Sequence, residues 1–341
     1  MINLERIIGF AETAPLPDFL YSQGINYLVG TQKKRLIKTK YSDEQFANEM
    51  INFPIAANTQ EANEQHYEIP SEFFAIVLGP HRKYSCCFFE ADTTTLIQAE
   101  ENALSETCKR ANLEDGQEVL ELGCGWGSLS LYMAQKYPNS KITSVSNSNS
   151  QREYIENQAL VRGVKNLRVI TADMNDFNVD KKFDRIVSVE MFEHMSNWKS
   201  LLERARTWLK PDGFIFIHIF THKSHSYRFD LNNPADWIGR YFFSGGIMPS
   251  HNLMAQMGNI FTIEKVWNWN GTHYKKTADL WLRNFDENRE KIANIFRVTY
   301  GKDYQIWMRR WRLFFLSTSG LFGFDDGKEW SISHYLMRPI N

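Results

Sequence analysis

Two short stretches carry residue types that could do chemistry. The first is Glu121-Leu122-Gly123-Cys124-Gly125-Trp126-Gly127-Ser128, an acidic residue followed by three glycines at alternate positions. Glycine lets a ligand approach bare backbone and tolerates positive φ. A helix starting at Ser128 would add free N–H groups and the positive end of its dipole. The second is Glu190-Met191-Phe192-Glu193-His194, two carboxylates and an imidazole within five residues. Glu and His are the usual groups for moving protons near neutral pH. If this stretch turned directly into helix, Glu190 would share a face with Glu193 or His194. The bland alternative is a helix start whose dipole favours acidic side chains.

The glycine spacing bears on the ligand. A dinucleotide fingerprint reads G-x-G-x-x-G, with its third glycine allowing close helix–strand packing. Here the spacing is Gly123-x-Gly125-x-Gly127, and Ser128 stands at the usual third position. Glu121 suits a cationic, amino-acid-like tail better than a pyrophosphate. A carboxylate for the ribose is expected about 20 residues on. Instead Ser146, Asn147, Ser148 and Asn149 appear, with no carboxylate before Glu153. That absence weakens the ordinary form of both readings, while the glycine spacing and Glu121 favour S-adenosylmethionine over a nicotinamide dinucleotide.

These residues need elements to hold them. Apolar runs at Glu118–Leu122, Lys141–Val145, Leu167–Thr171, Phe183–Val189 and Phe214–Phe220 read as strands. Helical patterns begin near Ser128, Ser150, Asn197 and about Asn175. That rhythm predicts an α/β, doubly wound, Rossmann-like sheet. Phe261–Trp269 and Ile332–Met337 make a sixth and a seventh strand. The expected division is a helical N-terminal region over 1–115, a ligand-binding core over 116–271, a helical insert over 272–330 and a final strand over 331–341. Ser42-Asp43-Glu44-Gln45 has the form of a capping box. The insert carries Trp281, Phe285, Phe296, Trp307, Trp311, Phe314 and Phe315. It is well placed to cover the ligand end of the sheet, although such aromatics also simply pack a helical core.

Composition narrows the class. The 341 residues carry a formal net charge of −1, so no global pull toward nucleic acid is expected. No apolar run approaches the roughly 20 residues that span a bilayer. Met1-Ile2-Asn3-Leu4-Glu5-Arg6 lacks the basic start and apolar stretch of a signal peptide. The four cysteines, with Cys86 and Cys87 adjacent, have neither a disulfide pattern nor a metal spacing, which suits a reducing cytoplasm. His218, His222 and His225 form a histidine-rich stretch, but no nearby ligand set completes a metal site. His218 lies inside the fifth strand and should point into the core or the crevice. The basic run Lys33-Lys34-Arg35 would suit a lipid surface, though charge runs are usually solvated faces.

The ordered motifs resemble the cyclopropane fatty-acyl-phospholipid synthase family of S-adenosylmethionine-dependent enzymes, closest to its coclaurine N-methyltransferase branch. They are His66-Tyr67-Glu68-Ile69-Pro70, Leu78-Gly79-Pro80, Tyr84-Ser85-Cys86, the glycine turn, Met191-Phe192-Glu193-His194-Met195, Phe242-Phe243-Ser244-Gly245-Gly246 and Leu321-Phe322-Gly323. The resemblance runs from about His66 to the C-terminus. It implies a class I methyltransferase sheet and S-adenosylmethionine as cofactor, without metal. It assigns the adenosine to Asn147 and Gln151, the adenine amine to Asp173, and closure over the methionine tail to Tyr84 and Ser85.

The resemblance also separates two chemistries. Cyclopropane synthases methylate a lipid double bond and remove a proton with bound bicarbonate. That anion is held by a Cys, a Glu, a His and a late Tyr, matched here by Cys86, Glu193 and His218. The late Tyr position, eight residues before Phe322, is Phe314. A phenyl ring cannot donate a hydrogen bond. Glu190 matches the amine branch. The expected activity is therefore methylation of a small amine. Glu190, Glu193 and His194 would attract and deprotonate it, while Phe243, Phe314 and Trp330 line an apolar pocket able to hold a cation. The alternative is cyclopropane synthesis or another lipid methylation. Neither nucleic acid nor stable membrane insertion is expected, and monomer and homodimer both remain open.

Overall fold

The computed structural model describes residues 4–14, 16–57, 69–230, 233 and 236–340. His66, Tyr67 and Glu68 lie outside the described residues, as does the start of the chain. Among the described residues, five helices come first: α1 (Leu4–Thr13), α2 (Asp18–Lys38), α3 (Asp43–Met50), α4 (Ser71–Val77) and α5 (Leu96–Arg110). The expected capping box opens α3. The Gln45 amide donates to Ser42 Oγ at 3.2 Å, and the Ser42 amide donates to Gln45 Oε1 at 2.9 Å. Two of the orphan donors at that helix end are thereby satisfied.

The core alternates as expected. Its strands are β1 (Glu118–Leu122), β2 (Lys141–Ser146), β3 (Leu167–Thr171), β4 (Phe183–Val189) and β5 (Leu209–His222). Its helices are α6 (Ser128–Lys136), α7 (Asn149–Val161) and α8 (Trp198–Trp208). Asn197 caps α8 by accepting from the Ser200 amide at 3.0 Å. A two-residue ribbon, β6 (Tyr227–Arg228) with β7 (Ile247–Met248), flanks the short helix α9 (Trp237–Phe242). β8 (Phe261–Trp269) and β9 (Trp330–Pro339) enclose the insert, which holds α10 (Thr272–Glu287), α11 (Arg289–Tyr300) and α12 (Tyr304–Gly323).

The main sheet has the order β3-β2-β1-β4-β5-β9-β8. β1 to β5 are parallel, and β9 runs antiparallel to both neighbours. Strand order reverses between β1 and β4, the switch point where open α/β sheets bind ligands. The glycine turn follows β1 and Glu190 follows β4, so the two reactive stretches meet there.

Two expectations are corrected. No helix forms at Asn175: a single turn closes, with the Phe177 amide donating to Asp173 O at 2.8 Å. The Asn175 side chain instead clamps Ala56, accepting from its amide at 3.1 Å and donating to its carbonyl at 2.9 Å. Strand five is also longer than Phe214–Phe220. Residues 209–213 join it as an irregularity where the β4 register shifts.

The N-terminal helices and the insert share one apolar cluster. Phe73 of α4 lies 4.7 Å from the Trp311 ring of α12 and 5.1 Å from Phe296 of α11. Segments more than 200 residues apart thus pack as one cap over the sheet.

Candidate active site

A cavity opens at the switch point. Its floor is the glycine turn, and its backbone explains why each glycine is there. Gly123, Gly125 and Gly127 all have positive φ. A Cβ on Gly123 would sit 2.6 Å from Met191 Cβ, and one on Gly127 would sit 2.5 Å from Ile155. A Cβ on Gly125 would meet nothing within 4 Å. Gly125 is therefore the position where backbone lies bare toward the cavity. Gly127 is not among the residues lining the cavity; it packs the start of α6 against Ile155 of α7.

The other residues expected to hold the cofactor converge on that cavity. Tyr84, Ser85, Glu121, Asn147, Gln151 and Asp173 all line it. Gln151 is held by Ser146, whose hydroxyl donates to Gln151 Oε1 at 2.7 Å. Glu121 is buried and accepts from the hydroxyls of Ser130 and Ser144. Burial raises its carboxyl to about 7, against the pull of those two hydroxyls. Bare backbone at Gly125, a carboxylate at Glu121 and amide-bearing side chains at Asn147 and Gln151 fit an amino-acid tail joined to a nucleoside.

Beside them lies the acceptor end. β4 ends at Val189, and Glu190 adopts φ +47° before a 3₁₀ turn over Phe192–His194. The expected helix from Glu190 is absent, so face-sharing along a helix does not arrange these groups. The left-handed residue does it instead, turning the Glu190 carboxylate toward a ring of donors. Glu190 Oε1 accepts from the Cys86 amide at 2.9 Å and lies 3.2 Å from His218 Nε2. Glu190 Oε2 accepts from the Tyr274 hydroxyl at 2.8 Å. Burial pushes Glu190 upward, while Lys83, the Cys86 amide and Tyr274 oppose that shift. Lys83 is itself buried, donating to Ser85 Oγ and to the Cys86 carbonyl at 2.6 Å each.

Glu193 and His194 part company. Glu193 is fully buried behind the cavity wall, where Oε1 accepts from the Phe220 amide at 2.7 Å. Its Oε2 has no hydrogen-bond partner among the described residues. Burial, and then the neighbouring Glu190, push this carboxyl well up. His194 lines the cavity with its ring stacked on Phe243 at 4.2 Å.

Of the expected pocket residues, Phe243 and Phe314 line the cavity. Cys86 and His218 are fully buried and reach it through Glu190. Trp330 does not: it is buried at the start of β9, donating to the Tyr227 hydroxyl at 3.2 Å. Among the insert aromatics Trp281, Phe285, Phe296, Trp311 and Phe315 pack the cap, as core residues do. Among the lining residues that escaped the sequence reading are Lys83, Trp126 and Tyr274. Trp126 sits inside the glycine motif and Lys83 directly before Tyr84, so position along the chain was a usable signal. Nothing local marks Tyr274. Among the described residues no group of three or more His, Cys, Asp and Glu is arranged to hold a metal ion.

A mixed seven-stranded sheet with a glycine turn after β1 and an acidic residue after β3, both at the switch point, belongs to a class: this is an S-adenosylmethionine-dependent methyltransferase. Within that class, the chain belongs to the mycolic acid cyclopropane synthetase family, whose model matches residues 56–320. It is 35% identical over 337 residues to (S)-coclaurine N-methyltransferase of Thalictrum flavum subsp. glaucum, covering 96% of this chain and 93% of the relative. It is 30% identical over 247 residues to the cyclopropane-fatty-acyl-phospholipid synthase of Escherichia coli K12, covering 72% of this chain and 62% of that one. The solved structure of coclaurine N-methyltransferase bound to N-methylheliamine and SAH superposes with a TM-score of 0.94 at 33% identity, covering 98% of this chain and 99% of that one. The nicotinamide alternative is thereby set aside.

Proposed function

We propose that this methyltransferase transfers a methyl group to the nitrogen of a small amine. The observation that carries the reading is the place of the Glu190 carboxylate. Cys86 and His218, which the resemblance assigns to bicarbonate, both engage Glu190 Oε1. A phenol completes the ring, supplied by Tyr274 in place of the late Tyr missing at Phe314. The protein's own carboxylate fills the anion position, which leaves it fixed beside the cavity as a partner for a cation.

Bound S-adenosylmethionine supplies an electrophilic methyl group on a sulfonium. The chain's own groups prepare the nucleophile. An amine is protonated in water, and its ammonium is attracted by Glu190 and by the faces of Phe243 and Phe314. His194, on the cavity wall, takes the proton and frees the nitrogen lone pair. Holding donor and acceptor together in a closed site contributes much of the acceleration. Asp173, Asn147 and Gln151 hold the nucleoside, and Glu121 the methionine ammonium. Four free, buried cysteines suit a reducing cytoplasm as the working compartment.

Lipid is the second reading, favoured by exposed Phe19, Leu20, Tyr27 and Ile37 on α2. Against it, part of the basic run is engaged internally, since Lys33 pairs with Glu329 at 2.7 Å and Asp325 at 3.2 Å. No helix among the described residues is long and apolar enough to cross a membrane. Labelled donor offered to a panel of amines, with mass analysis of products, tests the proposal. A methylated amine is expected. Cyclopropane chains in lipids of expressing cells, lost in Glu193→Gln, would overturn it.

A further inference from the structure

The cofactor cavity carries one cation that the reaction described above does not use. Among the described residues its lining holds three carboxyl groups, Glu121, Asp173 and Glu190, and three side chains able to be cationic, Arg82, Lys83 and His194. Lys83 acts on Glu190, and two of its three N–H groups are taken by Ser85 Oγ and the Cys86 carbonyl. His194 belongs to the acceptor end, stacked on Phe243. Arg82 remains. Its guanidinium carbon lies 3.9 Å from the ring centroid of Tyr154 on α7. It lies 6.0 Å from that of Trp126, which stands between Gly125 and Gly127. Arg82 Nη1 is buried and has no hydrogen-bond partner among the described residues. Burial draws the guanidinium down from its ordinary value, and the charges opposing that shift are those of Tyr154 and the exposed Glu72, neither acting through a hydrogen bond.

The loop before Tyr84 is built to hold this side chain in place. It winds round the carboxylate of Glu100, a fully buried residue of α5. Glu100 Oε2 accepts from the His81 amide at 3.0 Å, and Oε1 accepts from the Lys83 amide at 3.1 Å. Between them Arg82 stands at φ +51°, its own amide donating to the Gly79 carbonyl at 2.8 Å. Backbone amides gathered around a left-handed residue form an anion nest, here filled by the protein's own carboxylate. A Cβ on Gly79 would sit 2.4 Å from the Glu100 carboxyl, so glycine is what lets the loop close this tightly.

S-adenosylmethionine carries one anionic group, the α-carboxylate of its methionine tail. Taking a carboxylate out of water is costly unless it is paired and hydrogen-bonded. A guanidinium suits that role, because its planar fork offers paired N–H donors to the two oxygens. We infer that Arg82 is a cofactor-binding residue, its guanidinium the counter-ion of the methionine carboxylate beside the bare backbone of Gly125. The inference rests on the cofactor's place at the glycine turn and is independent of the methyl acceptor.

Calorimetry on the full chain with two ligands tests it. One is S-adenosylhomocysteine. The other is its decarboxylated counterpart, which keeps the nucleoside, the sulfur and the amine. The wild type should prefer the first by about 10- to 100-fold, the worth of a hydrogen bond between charged groups. Arg82→Met keeps an apolar stem over Tyr154 and removes the guanidinium. Its affinity for S-adenosylhomocysteine should fall to that for the decarboxylated ligand, which should itself be unchanged. Arg82→Lys should restore part of the preference. If Arg82→Met does not fold, Arg82→Gln carries the test and should lose most of the preference. A wild type that binds both ligands equally would overturn the inference. So would a variant that loses affinity for both in equal measure, the mark of a side chain that only packs on Tyr154 and Trp126. A wild type that binds neither would overturn the cofactor's place at the glycine turn itself.

Discussion

The Cys86 amide donates to Glu190 Oε1 at 2.9 Å across 104 residues of sequence, and Glu190 makes that contact from φ +47°. A non-glycine residue in that region is held there by its surroundings. The carboxylate and its three donors hold it.

Replacing this side chain tests the anion site directly. Glu190→Gly relieves the backbone but leaves the Cys86 amide, His218 and Tyr274 facing an open position. Acceptor binding should weaken about 10- to 100-fold, the cost of unpairing buried groups. Added bicarbonate or formate should recover part of the loss in steady-state assays, whereas the wild type should be indifferent to both. Glu190→Gln should also weaken acceptor binding, without rescue.

His194 separates chemistry from binding. His194→Ala should lower turnover by roughly 10²–10⁴-fold if the imidazole is the general base. Affinity for S-adenosylhomocysteine, measured by calorimetry, should stay at the wild-type value. Glu193→Gln keeps an acceptor for the Phe220 amide behind the cavity wall, so its melting temperature should be retained. Wild-type rates for His194→Ala at every pH would remove it from the mechanism.

Glu121 links cofactor affinity to pH. Its carboxyl is raised to about 7 by burial, and a cationic methionine tail favours the ionised form. Affinity for S-adenosylhomocysteine should therefore rise as pH increases through 7 and fall by up to about tenfold per unit below it. The stability effect has the opposite sense. Between the usual carboxyl value of 4.5 and about 7, the folded chain keeps a proton that the unfolded chain has lost. Its contribution to stability declines as pH rises through that window. Glu121→Gln should flatten both profiles in calorimetry and thermal melts.

The glycines should fail in different ways. Gly125→Val should abolish cofactor binding, because its side chain enters the approach path at φ +51°. Gly127→Ala should instead destabilise the fold by about 1–3 kcal/mol, since its Cβ meets Ile155. Calorimetry on the first variant and denaturant melts on the second distinguish them.

Local physics made much of this protein legible in the sequence alone. Strand rhythm marks β1 to β5 because alternating apolar runs and helix caps act over a few residues. The Gly123-Gly125-Gly127 turn and the Glu190–His194 cluster are likewise contiguous, so their types and spacing identify them. What those groups face was decided only by the tertiary structure. Tyr274 reaches Glu190 across 84 residues and His218 across 28. Whether an aromatic lines the cavity, as Phe314 does, or packs the core, as Trp330 does, depends on where its backbone ends relative to the switch point. Even the helix expected at Asn175 yields to a contact with Ala56, because a distant backbone offers the amide two hydrogen bonds at once. Hydrogen-bond direction in a buried site is set by the positions of separate strands and helices, and no short window of sequence contains them.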